Sequence, residues 1–262
     1  MGISYKIFDT VTHPTINGKW IDGRKGENFN DFKKTIGGSP IRSVCAIGLP
    51  NIGEYSHEKF YKKCSEQGKI FAVGAITKDK IKKILKEIEI MHNIGFSGIK
   101  IHPRLLKHEF SVDELALIFS HCSDLDITVF LCTYYQCKIN NFPSQDPFWV
   151  IVNSLKRCPD ARVVLLHGGG VRILEYAELV RFNKNIILEL SLTLTKYTGS
   201  SIDLDLKYLF SNFDQRICLG SDHPEMNYQS FFNKLDYFFE GLPKKKISNI
   251  CYRNIERFLK IK

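Results

Sequence analysis

Residues 98–132 read "GIKIHPRLLKHEFSVDELALIFSHCSDLDITVFLC" and hold one full repeat of an architecture. "GIKIH" (98–102) and "ITVFLC" (127–132) are short runs rich in β-branched and apolar residues, the composition of strands. Between them "SVDELALIFSHC" has its apolar residues at helical spacing. Ser111 stands at its N-cap and Glu114 at the matching capping-box position. The same alternation runs outward in both directions. Further strands are expected at "YKIFD" (5–9), "IRSVCAIG" (41–48), "IFAVGAI" (70–76), "RVVLLH" (162–167), "IILELSL" (186–192) and "RICLGS" (216–221). Asp146 and Pro147 open a helix at "DPFWVIVNSLKRC". Regular βα alternation requires a parallel sheet, and these strands in 262 residues predict the α/β class and a closed (β/α)8, TIM-like barrel over 1–262 as one domain. A doubly wound open sheet would carry a Gly-rich phosphate turn after its first strand, and "FDTVTHP" is not one. The last helix, "KKKISNICYRNIERFLKI", is expected to pack against the outside of the barrel.

Composition narrows the function. Hydrophobic residues make up 44% and charged residues 25%, as in ordinary globular chains. The net charge of +9 does not by itself point to nucleic acid, because the lysines are dispersed. In "KDKIKKILKEIEIMHN" they form the solvated face of a helix whose buried face is Ile81, Ile84, Leu85, Ile88 and Met91. A cationic mouth for a small anionic substrate is the better use of the charge. No apolar run approaches the roughly 18 residues of a membrane span. Eight cysteines without a C-x-x-C pair, and no secretory signal, make reduced thiols and a cytoplasmic location the expectation. A homo-oligomer is compatible with all of this.

A parallel barrel places its chemistry at the C-terminal ends of its strands. The groups expected there are Asp9 and His13 after strand 1, Lys100, His102 and Arg104 after strand 4, and Cys132 and Tyr134 after strand 5. His167 and three glycines follow strand 6, Glu189 and Ser191 belong to strand 7, and Ser221, Asp222 and His223 follow strand 8. Side chains alternate with period two, so Lys100 and His102 share a face, as do Glu189 and Ser191. An inward ionisable group is costly unless paired or bound to a cation. One strand-end histidine reads as well as a structural residue; convergence from five strands does not.

In order along the chain, "FDTVTHP", "GFSGIKIHPR", "VFLCTYY", "RVVLLHGGG", "IILELS" and "ICLGSDHP" resemble the amidohydrolase superfamily. More narrowly, they resemble its amidohydrolase-related branch of small metal-dependent hydrolases and decarboxylases. The resemblance runs over nearly the whole chain, and "LLHGGG" and "LGSDHP" are its most specific pieces. It implies a (β/α)8 barrel holding one divalent ion, often zinc, that activates water or a substrate oxygen. The family's ligands are a His-x-His pair, two further histidines and an aspartate. Carried over, they fall on Val11 and His13, Cys132, His167 and Asp222. Val11 cannot ligate, whereas a Cys132 thiolate can. The expected metal set is therefore His13, Cys132, His167 and Asp222, with Glu189 the candidate to replace the ligand missing at Val11.

Asp222 and His167 are then the expected proton-transfer residues. Lys100, His102, Arg104 and Tyr134 are expected to bind the substrate, Arg104 as a carboxylate clamp. The reaction so implied is metal-dependent hydrolysis of an amide, ester or lactone in a small anionic molecule. Its alternatives are decarboxylation at the same centre, or a barrel that has lost its metal and become a binding protein. A third reading makes Cys132 a nucleophile with His167 as its base. "HGGGVR" could receive an anionic group at a helix N-terminus. The loop "TYYQCKINNFPSQDPFW" is long and aromatic and is expected to roof the pocket.

Overall fold

The computed structural model describes residues 5–261. Among them eight strands form one parallel sheet in sequence order: β1 (Ile7–Thr12), β2 (Ile41–Ile47), β3 (Ile70–Ala75), β4 (Gly98–Ile101), β5 (Thr128–Cys132), β6 (Val163–Leu166), β7 (Ile186–Glu189) and β8 (Ile217–Cys218). Helices alternate with the strands. The sheet curls back on itself where Thr10 N donates to Leu219 O at 2.9 Å, Asp222 N to Val11 O at 2.9 Å, and His13 N to His223 O at 2.8 Å. The barrel of the sequence reading is the observed architecture.

Period-two alternation gives the barrel two cores. One face of each strand packs under the helices; the other fills the interior with Phe8, Val11, Ile47, Val73, Phe130 and Leu166, all buried. The capping box at Ser111 and Glu114 and the Asp146 cap ahead of Pro147 form as expected.

Four expectations need correction. β8 covers only Ile217–Cys218 rather than 216–221. β1 runs over Ile7–Thr12 rather than 5–9, because an irregularity between Asp9 and Thr12 lets the strand continue past the buried acid and carry Val11 and His13 inward. β7 stops at Glu189 rather than 192, where Leu192 turns to φ +61°. The C-terminal helical segment closes the barrel instead of lying on its outer wall: Ile255 is buried in the same cluster as the interior residues Phe8, Cys45 and Cys218. That is the end opposite the strand C-termini, so the chemistry-bearing end is left to the loops.

Candidate active site

Two of the candidate residues sit in costly backbone. His167 and Asp222 follow β6 and β8 at φ +65° and φ +59°, in the left-handed region that side chains other than glycine rarely adopt. Such conformations cost about 1–3 kcal/mol and persist where the surroundings over-determine them. Both turns bring the side chain back over the barrel mouth. His13, Lys100, Cys132, His167 and Asp222 are all buried there.

The first group joins β1, β4 and the end of β8. His13 Nδ1–H donates to Ile47 O at 2.8 Å, leaving Nε2 as the acceptor. Lys100 Nζ lies 3.4 Å from that nitrogen, and Asp222 Oδ1 also lies 3.4 Å from it. Burial, then the Lys100 charge, lowers the His13 pKa and keeps the imidazole neutral. Burial likewise lowers Lys100, against the pull of Cys132, Asp222 and Glu189. For Asp222 burial would raise the pKa, but the close approach of His13 and the charges of His167 and Lys100 outweigh it and hold the carboxyl well below its usual range.

The second group joins β5, β6 and β7. His167 Nδ1–H donates to Ser191 Oγ at 2.9 Å, and Ser191 Oγ donates to Glu189 Oε2 at 2.6 Å. The far side of the imidazole meets the Cys132 thiol. Burial opposes charge on both, yet their mutual attraction brings Cys132 down to about 6 and raises His167. Tyr134 covers this end, its ring centroid 6.5 Å from that of His167. The Arg104 guanidinium lies 4.8 Å over the Tyr134 ring and Lys196 Nζ 5.3 Å from its centroid.

Other candidates have different work. His102 is buried and its Nδ1 accepts from Leu105 N at 3.4 Å, capping the short helix Pro103–Leu106. Glu189 is not free to replace a ligand: Oε1 accepts from Ser191 N at 2.6 Å, and Oε2 from His167 N at 3.1 Å and the Ser191 hydroxyl. Burial pushes its pKa up to about 7. Asp9 faces away from the mouth toward Ser221 and Tyr228. The triple glycine is a packing device rather than an anion cradle. Gly169 N donates to Thr133 Oγ1 at 2.8 Å, and a Cβ on Gly169 would sit 2.1 Å from the Tyr176 ring.

The donors present do not fit a divalent ion. Among the described residues no set of three His, Cys, Asp or Glu side chains is arranged to hold one. His13 and Asp222 face each other, but Val11 stands in the apolar interior where a further ligand belongs. The cation beside the pair is the Lys100 ammonium, and Cys132 is matched to His167. Catalytic zinc needs about three protein ligands.

Sequence reading missed three contributors. Lys196 lies in a four-residue helix, Thr193–Lys196, with no motif around it. The Ile47 carbonyl that sets the His13 tautomer is backbone, so no side-chain pattern marks it. The Ser191–Glu189 pair was visible as two residues on one face, but its role as the support of His167 depends on the left-handed turn.

A family model described as Amidohydrolase matches residues 56–261, a span that begins after β1 and so leaves out Val11 and His13. No curated protein matches the sequence. Among solved structures, an uncharacterized TIM-barrel protein of Bordetella bronchiseptica is similar at 17% identity and a TM-score of 0.79, covering 97% of this chain and 98% of that one. A probable 2-pyrone-4,6-dicarboxylic acid hydrolase of Acinetobacter baumannii, crystallised with citric acid bound, is 13% identical with a TM-score of 0.68, covering 97% and 99%. The IDCase of Metarhizium anisopliae is 14% identical with a TM-score of 0.69, covering 98% and 97%. At such identities the likeness is one of fold. Among the described residues no helix is long and apolar enough to cross a membrane.

Proposed function

The chain belongs to the amidohydrolase family, and from that premise we propose that it hydrolyses an amide, ester or lactone bond in a small anionic organic molecule. Its own side chains at the barrel mouth carry the protons and charges. Members of this family generally work with a divalent metal ion, which the donor set here does not fit. The reading rests on one observation above all: a buried ammonium, Lys100, stands beside a neutral imidazole, His13, and an ionised carboxylate, Asp222.

The substrate carbonyl lies against Lys100 Nζ, whose N–H groups meet the oxyanion as it develops. A water attacks from the His13 side, its oxygen forming the new bond to carbon while Nε2 takes its proton. Asp222, 3.4 Å away, stabilises the resulting imidazolium. When the carbon–heteroatom bond breaks, His167 gives its proton to the leaving nitrogen or oxygen. The two histidines end with their charge states exchanged and re-equilibrate through solvent. Arg104 and Lys196, both against the Tyr134 ring, are placed for the carboxylates of the substrate.

The Cys132–His167 contact favours a second reading. Cys132 attacks the carbonyl, His167 protonates the leaving group, and water then hydrolyses the thioester with Ser191 and Glu189 orienting the imidazole. Cys132 is only 1% exposed, so this route needs Tyr134 to swing aside.

The test is elemental analysis of chain purified without added metal, beside Asp222→Asn, with small carboxylated amides, esters and lactones screened for turnover before and after chelation. The expected result is far less than one metal per chain and turnover indifferent to chelator. One metal per chain, lost in the variant together with turnover, overturns the protein-only reading. Trapping of an acyl group on Cys132 selects the covalent route, and release of CO2 replaces hydrolysis by decarboxylation.

A further inference from the structure

One sizeable cavity lies away from the barrel mouth. It has a volume of about 620 Å³ and lies between the short helix Pro103–Leu106, the start of the helix Val112–Asp124, the loop after β5 and the first turns of the helix Pro147–Arg157. Its floor is Phe110, Leu115, Leu131, Val150 and Ile151, all buried. None of His13, Lys100, Cys132, His167 and Asp222 lines it. The reason is strand geometry: Leu131 and Cys132 are consecutive on β5 and point to opposite faces, Cys132 into the barrel and Leu131 out under the helices. Arg104 is the residue the two places share.

The rim has a sign. Arg104, Lys107 and Lys138 stand on it with one carboxylate, Glu109. Among the described residues none of the three cations is in an ion pair. Glu109 is turned to its own loop: its carboxylate accepts from Ser144 Oγ at 2.9 Å and 3.0 Å and from Gln145 N at 2.8 Å. An apolar floor under a rim with surplus positive charge, in a volume within the usual range of small-molecule sites, selects a ligand with an apolar body and an anionic end.

We propose that this cavity is a binding site for an amphipathic carboxylate, a medium-chain acyl or arylalkanoic acid. Its body lies on the Leu131 floor and its carboxylate is held by Arg104, Lys107 and Lys138. The site touches the hydrolytic mouth only through Arg104, and its binding does not depend on the reaction proposed there.

Two cysteines make the test direct. Cys137 lines the cavity and Cys158 does not; both are partly exposed, while the other six are buried. N-ethylmaleimide labelling of each, followed by peptide mass spectrometry, is compared with octanoate, octanol or octylammonium present. At octanoate about ten times its Kd the free site falls to roughly a tenth, so labelling of Cys137 slows about tenfold. Labelling of Cys158 is unchanged, and octanol and octylammonium protect far less. Lys107→Glu with Lys138→Glu, two exposed positions, abolishes the protection by octanoate. Equal protection by all three probes, protection of Cys158 as well as Cys137, no protection by octanoate, or undiminished protection in the double variant overturns the proposal.

Discussion

Asp9 and Asp222 lie at the same seam of the barrel, where β1 meets the end of β8, and both are buried. Their neighbours differ in kind. Asp9 accepts from Ser221 Oγ at 2.6 Å, Ser221 N at 2.8 Å, Tyr228 OH at 2.8 Å and Val11 N at 3.2 Å, all neutral donors. Burial still wins, and the Asp9 pKa is pushed up to about 6. Asp222 has His13, His167 and Lys100 around it and is held well below the usual carboxylate range. Four neutral hydrogen bonds do not offset the loss of water around a carboxylate; neighbouring cationic groups do. One carboxylate is therefore a fastener that takes up a proton below about pH 6, and the other a fixed negative charge facing the mouth.

The strongest way to break this contrast is to remove the ammonium. Lys100→Met keeps the volume and leaves Asp222 buried without its nearby amine. We expect a loss of about 1–3 kcal/mol in urea unfolding at neutral pH, the usual cost of leaving a buried polar group without its partner. Turnover, once a substrate is in hand, falls about 10²–10³-fold with the loss of one oxyanion donor. Adding Asp222→Asn to that variant returns part of the stability, giving a coupling of about 1 kcal/mol or more. Strictly additive losses would mean that Lys100 and Asp222 do not sense each other.

The second prediction sets the two acids against pH. Asp9 has a folded pKa of about 6 against an ordinary 3.8, so between those values the native state binds the extra proton. Stability therefore falls as pH rises through that window, by about 3 kcal/mol in all from this group. Asp9→Asn removes that fall. Glu189, pushed up from 4.5 to about 7, adds a slope of the same sign that the variant keeps. Asp222 acts oppositely: its contribution is complete above 3.8 and fades as pH drops below that toward its lowered folded value. Asp222→Asn flattens the acid side of the curve. Urea unfolding across pH 3 to 8 separates the three chains, and parallel curves for wild type and Asp9→Asn would abolish the contrast.

Much of the barrel was legible because period-two strands and period-3.6 helices are local signals. "GIKIH" and "ITVFLC" carry β-branched and aromatic residues, and Ser111 with Glu114 announces its helix without help from tertiary structure. The extent of β1 was not legible, since continuing past Asp9 depends on donors from Ser221 and Tyr228, more than 200 residues away. The C-terminal helix was misplaced for a related reason: an amphipathic face does not say whether it covers the side of a barrel or its end. At the site, residue types were readable but functions were not. Lys100 and His102 share a strand face, yet Lys100 sits against His13 while the His102 ring caps its own short helix. Cys132 stands at a ligand position, and only the fold shows that it faces His167.

The smallest effect gives the finest reading of the comparison. Tyr228→Phe removes one donor from Asp9 and leaves the ring, which stacks on His223 at 4.7 Å and on Phe232 at 5.6 Å. Above the Asp9 pKa the lost bond is one to a buried charge, about 2 kcal/mol; below it the partner is a neutral acid and the loss is about 1 kcal/mol. The variant is thus expected to be more destabilised at pH 8 than at pH 5, because losing a donor raises the folded pKa of Asp9 further. Urea unfolding at the two pH values measures the difference. An equal loss at both would mean that Tyr228 acts through its ring alone, and that Ser221 and the Val11 amide suffice to hold the acid that joins the two ends of the barrel.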